Sequence, residues 1–139
     1  MHREEIMEIL PHRPPMLLID EGELADGVSV CKYTVRGDEF FLQGHFPGNP
    51  VVPGVIQCEM MAQASCLLVD KKDDGVVYTP YFTGMDKVKF KKKVVPGDCI
   101  ILKSELIKQK SVFYFVRCAG YVDDELCCSA EISFAIVKS

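Results

Sequence analysis

From Val55 to Val69 the chain reads VIQCEMMAQASCLLV, a helical run with apolar residues on every side rather than along one stripe. A helix of that kind has no face to give to water, so the rest of the chain must enclose it. Pro53 stands in its first turn, where a missing N–H costs nothing. At 139 residues and 48% hydrophobic content the chain reads as one domain, 1–139, with enough apolar matter for a real core.

The sequence on either side supplies the enclosure. Residues 3–10 (REEIMEIL) form a short amphipathic helix with Ile6, Ile9 and Leu10 on one side, ended by Pro11. After the apolar stretch 16–19, Glu21-Gly22 reads as a turn. Val28–Val35 alternates apolar and polar residues and reads as a strand, followed by a loop over 36–53. Beyond a polar turn over 70–75, the spans 76–82, 86–94, 99–108, 111–122 and 125–137 read as strands. Their breaks are at Thr83-Gly84, Pro96-Gly97-Asp98, Gln109-Lys110 and Asp123-Asp124. Short turns between consecutive strands predict an antiparallel meander. The fold class is therefore α+β: one long central helix wrapped by a curved antiparallel sheet of about six strands. The uncovered sheet face and edges ask for a second subunit, and a homodimer or larger is expected.

A net charge of −4 argues against a general nucleic-acid binder. No apolar run is long enough to cross a bilayer, and MHREEIMEIL has no apolar leader core, so a cytoplasmic protein without membrane attachment is expected. The seven cysteines include no C-x-x-C pair and read as reduced core thiols, with Cys127 and Cys128 on opposite faces of a strand. No histidine has a partner at metal-ligand spacing, so no metal is expected.

The chemistry concentrates in GHFPGNPVVPGVIQCEMMAQA, residues 44–64. His45 sits in a loop tightly specified by proline and glycine, and Glu59 is a lone carboxyl in the apolar helix. A histidine exchanges protons near neutral pH, and apolar surroundings favour the protonated, donating form of a carboxyl. Together they make an acid–base pair. Gly54 opens the helix, where unpaired N–H groups and the positive end of the dipole suit an oxyanion, though a glycine there also serves close packing. Gln63 lies one turn after Glu59 and can orient its carboxyl. Lys87, Lys89 and Lys91 alternate along one strand face, with Lys92 and Lys93 beside them. They read either as a solvated edge or as a docking surface for an acidic partner. His12-Arg13 reads as a structural pair bonded to a loop.

Three blocks, LPHRPPMLLID (10–20), GHFPGNPVVPGVIQCEMMAQ (44–63) and FTGMDKVKFKKKVVPGD (82–98), carry a resemblance. In order and spacing they resemble the (3R)-hydroxyacyl-[acyl-carrier-protein] dehydratases of the FabZ type, over nearly the whole chain. The resemblance implies a hotdog fold and, in type II fatty acid biosynthesis, loss of water from a 3-hydroxyacyl thioester to give the trans-2-enoyl thioester. It implies His45 and Glu59 as the catalytic pair, meeting across a dimer interface. It further implies the Gly54 amide as donor to the thioester carbonyl, the Val51 carbonyl as holder of the histidine ring, and a dimer assembled further into a hexamer. No cofactor is implied beyond the phosphopantetheine arm of the acyl carrier protein that brings the substrate. Lys89, Lys91, Lys92 and Lys93 would then meet that carrier. Tyr81, Phe82 and Met60 would line the acyl tunnel, although Tyr81 and Phe82 also suit the core. The family commonly has an aromatic residue at Pro14 and alanine at Met60. The alternatives are a dehydratase that also isomerises trans-2 to cis-3 chains, for which aspartate is usual at position 59, a hotdog acyl thioesterase, and a non-catalytic acyl-binding module.

Overall fold

The structure is a computed structural model that describes residues 1–69 and 74–138. Of the polar turn expected over 70–75, residues 70–73 lie outside the described residues. The elements are α1 (Arg3–Ile9), β1 (Glu21–Ala25), β2 (Val28–Thr34), α2 (Gly54–Ser65), β3 (Tyr78–Phe90), β4 (Cys99–Lys110), β5 (Phe113–Val122) and β6 (Glu125–Lys138). The strands form one six-stranded sheet, ordered β1-β2-β4-β5-β6-β3, and every pairing is antiparallel. This is the wrapped-helix α+β architecture the sequence called for.

Three details differ from the sequence reading. Glu21-Gly22 is not a turn but the start of β1, and the reversal falls at Asp26-Gly27, both with positive φ. Gly22 is needed for packing: a Cβ there would stand 2.8 Å from Cys31 Sγ and 3.0 Å from Leu67 Cδ2. Thr83-Gly84 does not break a strand either. β3 runs through it with register shifts at Phe82/Gly84 and Asp86/Lys89, so a bulge absorbs the irregularity. The sheet is also not a simple meander, because the chain leaves β2 through α2 and lays β3 on the far edge beside β6, while β2 pairs β4. The last hairpins turn at Ser111-Val112, two residues later than expected, and at Asp123-Asp124.

Pro53 caps α2, and a 3₁₀ turn, Cys66–Leu68, continues its path. The helix packs over β2, β4 and β5, with a lesser contact to β6. Met60, Met61, Ala64 and Leu67 are buried against Ile100, Leu102, Val116 and Ile132. Polar groups on the sheet reach its carbonyls, as in the Ser29 hydroxyl donating to Ala64 O at 2.7 Å. Enclosure is incomplete at one end: Val55, in the first turn, is 75% exposed. Six cysteines are buried and Cys99 is exposed. Burial pushes the thiols of Cys66 and Cys128 up to about 12, so these groups act as inert core matter. Cys128 turns its sulfur to Met61 while Cys127 bonds back to Glu125 O, and both are buried.

Candidate active site

The loop before α2 is pinned at both ends. Upstream, Glu39 accepts hydrogen bonds from the Tyr33 hydroxyl (2.7 Å) and from the N–H groups of Arg36 (2.9 Å) and Gly37 (2.7 Å). Burial alone would push the Glu39 carboxyl up, but these donors outweigh it and hold the group below the ordinary glutamate range. The Tyr33 hydroxyl is pushed up by its own burial and by Glu39. Downstream, Val52 donates to Val94 O at 2.8 Å and accepts from Gln57 Nε2 at 3.2 Å. Between the anchors, Gly44, Phe46 and Gly48 all have positive φ. For Phe46 that conformation costs about 1–2 kcal/mol, offset locally by the Asn49 N–H donating to Phe46 O at 2.8 Å.

This loop presents His45, whose ring packs on Phe46 with centroids 4.1 Å apart. His45 Nδ1 lies 2.9 Å from Val51 O. A carbonyl only accepts, so Nδ1 carries the proton and Nε2 keeps its lone pair. The ring is thereby held in one tautomer, with Nε2 able to accept a proton.

Glu59 projects from the middle of α2 and keeps 19% of its side-chain surface. Its Oε2 receives Gln63 Nε2 at 2.8 Å, one turn on along the same face. Gln63 is itself buried, accepting from Leu18 N–H at 2.9 Å and donating to Met16 O at 2.8 Å. A third residue joins them: His12 Nε2 stands 3.3 Å from the same Glu59 Oε2. The expectation that His12 bonds a loop was therefore wrong, while Arg13 does serve structure by donating to Met7 O, Leu10 O and His12 O. The His12 contact escaped the sequence reading because it joins two distant segments, and its only signal was a histidine held between the prolines of LPHRPP. Both nitrogens converge on Oε2, Gln63 through a hydrogen bond and His12 as a close polar contact, and Oε1 has no partner among the described residues.

Gly54 opens α2, and its N–H finds no acceptor among the described residues. A Cβ on Gly54 would stand 2.8 Å from Phe90 Cζ, so the ring of the β3 residue lies directly over the helix start. The glycine thus serves close packing and leaves an unpaired donor at the positive end of the helix.

Within the protomer no hydrogen bond or ion pair joins His45 to Glu59, among the described residues. A cavity of about 550 Å³ lies toward the other end of α2, among Leu10, Cys66, Val69, Tyr78, Tyr114 and Ile136, and none of His45, Gly54 and Glu59 lines it. Met60 is fully buried in the core. Tyr81 and Phe82 are not core residues: they are 56% and 45% exposed on the outermost strand. The alternation of Lys87, Lys89 and Lys91 is broken, because the bulge places Lys87 at positive φ and β3 ends at Phe90. Lys87 pairs with Glu131 and Lys92 with Glu125, whereas Lys89, Lys91 and Lys93 form no ion pair among the described residues.

Comparison with known proteins identifies the family. Residues 10–131 match the FabA-like domain. The chain is 44% identical over 137 residues to a 3-hydroxyacyl-[acyl-carrier-protein] dehydratase FabZ of Clostridium perfringens, covering 98% of this chain and 99% of that one. It is 43% identical over 141 residues to the FabZ of Petrotoga mobilis, covering both chains in full. Among solved structures, the dehydratase heterocomplex ApeI:P from Xenorhabdus doucetiae superposes with a TM-score of 0.77 at 20% identity, over 94% of this chain and 89% of that one. The Escherichia coli PaaI protein of the phenylacetic acid degradation operon does so at 0.62 and 11% identity, over 81% and 79%. The two structures share the hotdog fold, and the sequence relatives decide the family. The chain belongs to the FabA-like family and, within it, to the FabZ-type 3-hydroxyacyl-[acyl-carrier-protein] dehydratases.

Proposed function

We propose that this chain removes water from (3R)-hydroxyacyl-acyl carrier protein through His45 of one protomer and Glu59 of its partner, giving the trans-2-enoyl thioester in fatty acid biosynthesis. The observation that carries the reading is a division of roles between two side chains. His45 is locked by Val51 O into the tautomer with a free Nε2, while Glu59 is held on one oxygen with the other open. Nε2 takes the proton beside the thioester carbonyl. The electrons of that C–H bond form the new double bond, and the C3–O bond breaks as Glu59 passes its proton to the leaving hydroxyl. The negative charge that develops on the thioester oxygen is met by the unpaired Gly54 N–H. No step uses a metal or organic cofactor of the protein's own.

Assembly from two copies is supported by β3. Phe82, Met85 and Phe90 pair with buried Phe134, Ile132 and Cys128, and so share the face that the helix covers. They are nonetheless 45%, 51% and 51% exposed, because α2 packs mainly over β2, β4 and β5 and meets this strand at the Gly54–Phe90 contact. A second copy covers that strand, completes the slot between His45 and Glu59, and gives Tyr81 and Phe82 a place along the acyl channel. Dimers then associate into a hexamer. The unpaired Lys89, Lys91 and Lys93, with Lys92, receive the acidic carrier protein. The enzyme works in the cytoplasm; no helix among the described residues is long and apolar enough to cross a membrane.

The test is a dehydration assay on 3-hydroxyacyl-acyl carrier proteins of varied chain length, reading trans-2 and cis-3 products and free thiol. Wild type forms the trans-2 product. His45→Ala and Glu59→Ala each lose roughly a thousandfold in kcat while keeping the wild-type circular dichroism spectrum. Folded variants with undiminished turnover would reject the reading.

A further inference from the structure

We propose that His12 is a positioning residue for the acid of this reaction: it fixes Glu59 Oε2 so that Oε1 is the oxygen that carries the proton to the leaving hydroxyl. The inference rests on the acid–base reading above.

Gln63 alone, at 2.8 Å from Oε2, leaves the Glu59 carboxyl free to swing about that contact. His12 Nε2, 3.3 Å from the same oxygen and from a different segment, fixes its plane. A protonated carboxyl has one O–H and one oxygen that only accepts. With the Gln63 N–H donating to Oε2 and His12 Nε2 close beside the same oxygen, the proton belongs on Oε1, the oxygen without a partner among the described residues.

The placement of His12 is built into the fold. Arg13 ties the chain to the last carbonyls of α1 through Met7 O at 3.0 Å and Leu10 O at 2.8 Å. Gln63 ties the same segment at Met16 O and Leu18 N–H. His12 sits between these clamps, on the Glu59 side of α2. Its Nδ1 is buried and has no hydrogen-bond partner among the described residues. A histidine kept only to brace a loop would satisfy that nitrogen, since buried polar atoms are almost always paired. Among the described residues the imidazole's only polar contact is the carboxyl. An unpaired lone pair is easier to bury than an unpaired N–H, so the proton sits on Nε2, the nitrogen that faces Oε2 at 3.3 Å.

The experiment compares His12→Ala, His12→Gln and His12→Asn in the assay above, each also in a Glu59→Gln background. The Gln amide nitrogen reaches about as far as Nε2, whereas Asn is one methylene shorter. The expected result is a ten- to hundredfold fall in kcat for His12→Ala and His12→Asn, from misplacement of the reacting group. KM stays within about twofold, and His12→Gln recovers most of the loss. In the Glu59→Gln background, replacing His12 adds little, because both changes act through one carboxyl. If His12→Ala does not fold, the Gln/Asn contrast decides the matter. Wild-type kcat in both His12→Asn and His12→Gln would overturn the proposal, as would an undiminished His12 effect in the Glu59→Gln background. A wild-type enzyme with no dehydration activity would instead overturn the acid–base reading and this inference together.

Discussion

The residues around His45 show how a loop is made rigid enough to hold a base. Glu39 is the upstream anchor, and three donors keep its carboxylate form. Its folded-state affinity for a proton is lower than that of an ordinary glutamate. The stabilisation it contributes is therefore complete above the ordinary value of about 4.3 and is lost as pH falls through the lower folded value. Glu39→Gln should lower stability at neutral pH by about 2 kcal/mol and flatten the acid limb of the stability curve, measured by urea midpoints from pH 3 to 7. An unchanged acid limb would contradict this. At this scale His45, Glu59 and Gln63 were legible in the sequence, because one short segment carries all three and helical spacing sets Glu59 beside Gln63. His12 was not, since its contact with Glu59 depends on how α1 is tied to α2, and no local spacing encodes that.

Among the elements, β3 has the least conventional surroundings. It is a long edge strand whose core-side residues Phe82, Met85 and Phe90 are half-exposed. Burial of each such side chain against a second copy is worth about 1.5–3 kcal/mol. Met85→Lys with Phe82→Lys should convert the assembly to monomers in sedimentation and abolish turnover while leaving the protomer fold intact. A monomer that still turns over would contradict the shared site. The sequence yielded six strands but not the same six. Gly22 looked like a turn because close packing on Cys31 and Leu67 leaves no local mark. Gly84 looked like a break because a bulge uses the same residue types as a turn. The landing of β3 beside β6 was hidden as well, since the crossover is set by the enclosed helix and not by turn lengths.

For the whole molecule, a net charge of −4 coexists with a local cluster of lysines at the end of β3 that form no ion pair among the described residues. Attraction of an acidic carrier there acts on encounter and weakens with salt. Replacing Lys89, Lys91 and Lys93 by Glu should raise KM for carrier-borne substrate about tenfold or more, leave kcat nearly unchanged, and have little effect on a short thioester without the carrier. Equal KM values for the carrier-borne substrate would remove the docking role. The central claim, one site built from two protomers, is tested most directly by mixing. His45→Ala and Glu59→Ala subunits, each inactive alone, are unfolded together and refolded at equal concentration. Half of the random dimers are mixed, and each mixed dimer regains one intact site of two, so activity should return to about a quarter of wild type. A mixture as inactive as its parents would contradict the account.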